Sequence, residues 1–568
     1  MDHTWNESKE VIQRLGFLAL GAVILILPNG LYSDTGYTSF PAIIMEIFSY
    51  IVGFLIILYS LISHNSKRDN GKRLVFIMLA AMGTVTLLYF FYGIAVKQNI
   101  TDETFIDLTA AKNFLAMINP YGFHIPISTF RQNGVPLSYL TPTMSGGYVN
   151  TLGYPSLSFL ILVPMVMLHL NPVILTVLFS SLLLFTIGLR YLKSSISYAS
   201  PLAITISLLN FNVIFFSLNG INDVIWAEFL ALAIIFIRRK YAGGVFFGLS
   251  LAYKQVPIFL MPFFMVYLLK TYGWKRMVQF VFSSVVTFLI FNLPFILWSP
   301  STYFSAVLSP ETSSLLGIGF GPSQLAFAGY LPFLGEKVFQ YTEVAVMIIL
   351  VLLYYINFQK LKYVLTALPL LFFMFNFRLL ENYVLFWPIL SLLIIPLIME
   401  DHHSNPEPKP VEKSNPGIFI PERKKAVLSA ALVILLVLVP ISASVMSYET
   451  YNPSFTIISV SGKTVSGADL QNLTVEVQMK SLISNGTYNF RVLTGGPLFF
   501  PNGYLWNVTS LSHISGNTFK FLIKSYNSTQ GIVKGRPYIL EIYSVNASGW
   551  IELNYNGNNV SFSNVQWY

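Results

Sequence analysis

The 568-residue chain has no cysteine, which excludes a disulfide framework, a thiol nucleophile and a Cys-ligated zinc. Charge is the second scarcity. Asp, Glu, Lys and Arg make up 10% of the residues, against about 25% in soluble globular domains. So little charge cannot cover a water-facing surface, and with 54% hydrophobic residues a disordered chain is excluded too. The class left is a polytopic membrane protein. The net charge of +9 needs no polyanionic partner, because basic residues in short cytoplasmic loops set the orientation of membrane helices.

Apolar segments of spanning length fall near 15–31, 41–62, 74–96, 152–169, 171–190, 199–217, 222–237, 242–269, 278–297, 341–358, 363–377, 383–399 and 426–446. This predicts a mainly α transmembrane bundle of about 12–14 spans, with residues 1–400 as its body. The first segment has no cleavage pattern and is read as an uncleaved span. The 242–269 segment is broken by Lys254-Gln255-Val256-Pro257, which predicts either two short helices meeting at depth or one kinked helix.

Basic loops at 64–73, 238–240, 270–276, 359–362 and 421–425 read as cytoplasmic, as does the N-terminus. The loops near 97–151 and 298–340 then face outward. One count fails: four spans between the first outward loop and Arg238-Arg239-Lys240 return the chain to the outside. One of them is therefore re-entrant or interfacial, or a boundary is misplaced. Residues 401–425 read as a Pro- and charge-rich cytoplasmic linker, with His402 and His403 on a solvated loop rather than at a metal. The last span, 426–446, leads into 451–568, where short alternating runs such as TFKFLIK and YILEIYS predict an extracytoplasmic β-sandwich. This region carries six N-x-S/T acceptors, Asn472, Asn485, Asn507, Asn527, Asn546 and Asn559, which independently favour an outward position. Trp506, Trp550 and Trp567 read as sandwich core rather than as sugar-stacking platforms.

Polar residues beside the membrane single out a site. Asp102 and Glu103 open the first outward loop, and Glu103 and Asp107 are spaced to share a helix face. A carboxylate just above the bilayer suits deprotonation of a hydroxyl acceptor beside a lipid-held donor; an N-cap or a solvated charge is the plainer reading. Asp223 opens a span with Glu228 five residues inside it, Lys254 and Gln255 interrupt another, and Arg378, Glu381, Asn382 and Tyr383 cluster between two more. Ionisable groups near membrane segments are costly and are functional hypotheses by default, although Lys254 snorkelling, an Arg378–Glu381 pair and an Asp223 cap would each be structural alternatives.

The Asp-Glu pair, followed by Asn119-Pro120-Tyr121 and Tyr154-Pro155-Ser156-Leu157, resembles the pattern of GT-C superfamily membrane glycosyltransferases. The stretch from Asp223 through the basic turn to Lys254-x-x-Pro257 is similar to further segments of that superfamily, and GPSQLAFAGYLP and ENYVLFWPIL resemble its polyprenyl-phosphate-dependent, mannosyltransferase-like branch. The resemblance covers roughly 75–400. Ser156 departs from the motif, which has a second proline there. The resemblance implies inverting transfer of a hexose from a polyprenyl-phosphate (in some members dolichyl-phosphate) donor to a glycan, lipid or protein acceptor, with no cofactor and no divalent metal. It implies Asp102, then Glu103, as general base, and Lys254 and Arg378 as partners of the lipid phosphate. Asp223, Gln255, Glu381 and Tyr383 would line the substrate site. A polytopic transporter, or a non-enzymatic membrane protein displaying a glycosylated β domain, are the alternatives. A transporter would more often show a second broken helix matching 242–269.

Overall fold

The computed structural model describes residues 2–35, 39–62, 70–95, 100–136, 139–143, 147–312, 315–316, 321–323, 336–404 and 421–450, and in the C-terminal region 455–462, 469–479, 488–494, 503–525, 531–544, 547–556 and 559–563. It is a helical bundle followed by an eight-stranded antiparallel sheet. Short helical pieces aside, the bundle comprises α1 (Asp2–Thr35), α2 (Phe40–Ile62), α3 (Asn70–Ala95), α4 (Asp102–Leu115), α5 (Val173–Leu192), α6 (Ser200–Leu209), α7 (Phe211–Leu218), α8 (Asp223–Ile235), α9 (Ala242–Tyr253), α10 (Met261–Tyr272), α11 (Trp274–Trp298), α12 (Glu336–Ile356), α13 (Glu381–Glu400) and α14 (Glu422–Thr450). Among the described residues, eight helices are long and apolar enough to cross a bilayer, and α6 with α7 forms a ninth candidate bent by 58°.

Several expected spans are shorter than the sequence pattern suggested. The 152–169 segment is helical only over Leu157–Met167, in two pieces divided after Leu160. At 1.5 Å per residue those eleven residues rise about 16 Å, half of a hydrocarbon core. Residues 363–377 hold just the short helix Leu368–Phe373. The 242–269 segment is two helices with Lys254 extended between them, at φ −148° and ψ 152°. Proline explains the break: Pro257 has no N–H to offer the Tyr253 carbonyl, and its ring would collide with that carbonyl in a continuous helix.

Contacts at the helix ends divide the bundle into two poles. At one, Arg190 and Arg238 pair with Glu400 at 2.6 and 3.0 Å, Arg276 donates to the Arg238 carbonyl, and Lys270 sits 3.7 Å from the centroid of the Tyr355 ring. Lys9 lies over Tyr198 nearby, so α1 starts at this basic pole. At the other, the Thr104 hydroxyl meets the Gly220 carbonyl and the Thr176 hydroxyl meets the Ser217 carbonyl at 2.5 Å. Chain direction therefore alternates cleanly through α5, α6–α7 and α8. The odd crossing in the sequence-based count falls on Leu157–Met167, the segment too short to span.

The C-terminal strands are β1 (Phe455–Gly462), β2 (Asn472–Met479), β3 (Asn489–Thr494), β4 (Tyr504–Ser515), β5 (Thr518–Ser525), β6 (Pro537–Ser544), β7 (Ala547–Tyr555) and β8 (Val560–Ser563). They form one sheet in the order β1-β2-β5-β4-β3-β6-β7-β8. The two-layer sandwich is corrected to a single sheet curled almost into a barrel, its first strand returning to its last: a side chain on Gly462 of β1 would lie 3.1 Å from Val560 of β8. Curling lets one sheet enclose its own core of Val475, Val477, Phe490, Phe521, Leu540 and Ile551. Trp506 is in that core, as expected; the Trp550 side chain and Trp567 lie outside the described residues. Asn472, Asn507 and Asn559 are exposed, whereas Asn485, Asn527 and Asn546 fall outside the described residues.

Close helix approach at α9–α11 fixes the segment that carries Lys254. A Cβ on Gly244 would meet the Ser283 hydroxyl at 2.0 Å and the Phe280 carbonyl at 2.3 Å, and one on Gly248 would meet the Ser284 carbonyl at 2.5 Å. Two glycines four apart give α9 a flat stripe, the small-residue contact that membrane helices use because lipid supplies no hydrophobic drive. Gly248→Val should therefore cost about 1–3 kcal/mol by overpacking, read as a lower melting temperature of the detergent-solubilised protein. An unchanged melt would refute the close contact.

Candidate functional site

A cavity of about 590 Å³ opens at the pole opposite the basic one. Its wall includes Asp102, Glu103, Tyr154, Lys254, Gln255, Arg378 and Tyr383, together with Asn382, Glu336 and Glu343. Residues separated by nearly 300 positions in sequence are thus gathered on one surface. The wall also carries apolar side chains, among them Phe215, Phe216, Val256, Phe259, Phe373 and Phe377.

Asp102 is the first residue of α4. Thr101 caps that helix, its hydroxyl accepting the Thr104 amide at 3.3 Å. Asp102 therefore lies where the unpaired amides and helix dipole favour an anion. Its Oδ1 accepts the Glu103 amide at 2.8 Å and its Oδ2 the Thr141 amide at 2.8 Å. The residue is 8% exposed. Burial raises its pKa above the ordinary carboxylate value, while bonds from Thr141 and Glu103 and the charge of Arg378 pull it back down.

Glu103 faces the same cavity and is tied to Lys254, whose Nζ lies 2.9 Å from Glu103 Oε1 and 2.7 Å from Asp223 Oδ1. Asp223 in turn accepts from Trp226 Nε1 at 2.7 Å and from the Asn382 amide. The Lys254 ammonium also lies 4.8 Å from the centroid of the Tyr154 ring and 5.5 Å from that of Tyr383. Burial pushes Glu103 up to about 7, against the attraction of Lys254 and with the repulsion of Asp223 and Asp102.

The structure redistributes the roles expected for the remaining residues. Asp223 is 0% exposed and absent from the cavity wall, so it acts through Lys254 and Asn382 rather than on a ligand. Glu381 also lies off the wall: its carboxylate takes the Asn212 amide, and the Arg378–Glu381 pairing is not formed. Gln255 is on the wall, but its amide holds the Gly153 and Val307 carbonyls at 2.7 and 2.8 Å, pinning the helix break. Arg378 donates from Nη1 to the Leu316 carbonyl at 3.3 Å, with its own amide on Asn376 Oδ1 at 2.9 Å. Asn376 reaches Glu343 on α12.

Asp107 shares the α4 face with Glu103, as the spacing predicted, but lies behind the cavity. Fully buried, it accepts from Ser158 Oγ at 3.0 Å and Asn222 Nδ2 at 3.2 Å, and burial lifts its pKa well above the ordinary value. Ser156 bonds Asn292 of α11 through its amide and hydroxyl at 2.8 and 2.9 Å. Sequence reasoning missed Asn222 and Thr141, whereas Asn382 belongs to the cluster expected between two spans and does reach Asp223. Asn222 adjoins a charged residue already singled out, Asp223. Thr141 reaches Asp102 through its backbone amide as well as its side chain, and an amide leaves no residue signature. Among the described residues no group of His, Cys, Asp and Glu is arranged to hold a metal.

The raised pKa of Glu103 fixes the sign of a pH effect. A carboxyl that binds its proton more tightly when folded stabilises fully below its ordinary value of 4.5 and loses that contribution as pH rises through about 7. Wild type should therefore lose thermal stability relative to Glu103→Gln between about pH 5 and about pH 8, by on the order of 3 kcal/mol at full ionisation. Parallel melting curves of the two proteins across that range would refute the buried placement of Glu103.

Comparison of the chain with protein-family models, with curated proteins and with solved structures finds no match.

Proposed function

We propose that the protein is a GT-C-like membrane glycosyltransferase that moves a hexose from a polyprenyl-phosphate-linked donor to an extracytoplasmic glycan, lipid or protein acceptor. The observation that carries the reading is the adjacent carboxylate pair, Asp102 and Glu103, on a cavity that also presents Arg378 and apolar side chains. Asp102 is the base. It takes the proton of the acceptor hydroxyl as that oxygen attacks the anomeric carbon, and the bond from that carbon to the lipid phosphate oxygen breaks with inversion. The phosphate leaves carrying the negative charge, and a guanidinium suits its oxygens because two N–H groups can point at them together. Arg378 takes this part. Lys254 contributes less than a free ammonium would, since Glu103 and Asp223 already compensate its charge.

The phenylalanines of the cavity wall support a lipid-borne donor, because prenyl carbons gain from leaving water against such side chains. Orientation follows from the two poles. With the basic pole cytoplasmic, the N-terminus is inside, while the cavity and β domain are outside, where Asn472, Asn507 and Asn559 are exposed to modification. Asp102→Asn should lower hexose transfer from a polyprenyl-phosphate donor by about 10²–10⁴-fold, the range for losing a positioned base, at unchanged protein level in membranes. Full activity in that variant would remove Asp102 as the base. A wild type inert toward polyprenyl-phosphate hexoses would remove the reaction.

A further inference from the structure

The outer face of the β domain carries a row that a free-standing sheet would leave in water. Leu505 on β4, Arg491 on β3 and Glu541 on β6 are neighbours in register, and Tyr543 follows on the same face of β6. Elsewhere that face is wet, as at Thr456, Gln478 and Lys520, yet these four side chains are at most 3% exposed. Their cover is the helical bundle. Leu505 and Tyr543 pack into the bundle's apolar core, not the sheet's. Arg491 donates from Nε to Glu541, so the two charges are buried as a compensated pair. The Tyr543 hydroxyl lies 3.5 Å from the Thr143 carbonyl.

Thr143 belongs to a turn of chain that reaches directly to Asp102. The Thr143 amide bonds the Gly147 carbonyl at 3.1 Å, the Val149 amide bonds the Thr141 carbonyl at 2.8 Å, and Leu316 closes on the Pro142 carbonyl at 3.3 Å. This turn rises from the cavity wall, where Thr141, Thr143 and Tyr148 all stand. Two residues of extended chain separate the carbonyl facing Tyr543 from the amide that holds Asp102 Oδ2, about 7 Å. Movement at one end is therefore felt at the other.

We propose that the β domain is a working part of the site, and that Tyr543 is a positioning residue that keeps the Thr141 amide on Asp102 by seating residues 141–143 and their partners Gly147 and Val149. The inference rests on the reading of Asp102 as the base. It separates that reading into two layers: the carboxylate does the chemistry, and the β domain holds the amide that orients it.

The test uses the full-length protein in detergent or membranes, with Tyr543→Phe, Tyr543→Ala and, as a control on exposed β5 surface, Lys520→Ala. Backbone amide exchange over 139–149 is measured alongside kcat, KM and the pH profile of hexose transfer. Tyr543→Ala should speed exchange there about tenfold, as expected when a local packing unit loosens. It should lower kcat about tenfold with KM little changed, the pattern for an interaction needed in the transition state. The acid limb of the profile should move to higher pH, because the Thr141 bond is one of the influences holding Asp102 down. Asp102 shares its wall with Glu103, Lys254, Arg378, Glu336 and Glu343, none of which is altered. Tyr543→Phe should show the same changes at about threefold, the scale of one hydrogen bond, and it carries the test where Tyr543→Ala fails to accumulate. Lys520→Ala should match wild type throughout.

Unchanged exchange over 139–149 in the Tyr543 variants would overturn the proposal. So would faster exchange with an unmoved kcat and acid limb. Exchange needs no turnover, so the seating of the turn is decided even for a protein that transfers no hexose, and the two failures remain distinguishable.

Discussion

The Lys254 ammonium, buried between Glu103 and Asp223, is the interaction on which the cavity depends. An ammonium removed from water costs several kcal/mol, and carboxylates offset that cost only when their remaining lone pairs are satisfied too. Here the second carboxylate is held by Trp226 and Asn382, and the first is anchored by the capped start of α4. One cation therefore joins α4, the start of α8, the break after α9 and the start of α13. Each lies far from the others in sequence. Removing the ammonium would take away the one cation that lies 2.9 Å from Glu103 and 2.7 Å from the buried Asp223, leaving two carboxyl groups to face each other.

The same interaction accounts for an otherwise poor local choice. A helix broken within an apolar stretch frees main-chain groups that lipid cannot solvate. Gln255 ties the break to neighbouring segments through the Gly153 and Val307 carbonyls, and Pro257 fixes where the helix must stop. The extended residue between α9 and the following turn is Lys254, so the break carries its side chain past the helix end and into the cavity wall. The glycine stripe of α9 against α11 then fixes how deep that helix end sits.

Composition and periodicity revealed the class, the β region and most of the cavity residues, for a physical reason. Charges are too rare in this chain to be scattered, so those away from the orienting loops stand out, and Asp102, Glu103, Lys254 and Arg378 do meet on one wall. What sequence hid was the partner of each charge. Arg378 and Glu381 are three residues apart yet do not pair, because a short turn and a helix start aim them at different neighbours. Asp223 reads as a cavity residue by its position at a helix start, but Trp226 one turn on and Asn382 enclose it. The span count failed at 152–169, where hydropathy measures apolar content and not length of continuous helix. A buried, broken segment is as apolar as a true span.

The two poles of the bundle carry opposite logics. At the basic pole Arg190 and Arg238 share Glu400 at a part-exposed surface, where ion pairs contribute little to stability. At the other pole Asp102, Asp223, Lys254 and Arg378 are buried, and each meets a named partner, so each constrains geometry. The β domain continues this second logic: its Arg491–Glu541 pair is buried and compensated within the docked face. A buried pair of this kind adds little net stability compared with apolar side chains of the same size. What it supplies is register, since a slip of the sheet by one residue would send both charges into the barrel core. The pole with the cavity is therefore the one whose charges specify position.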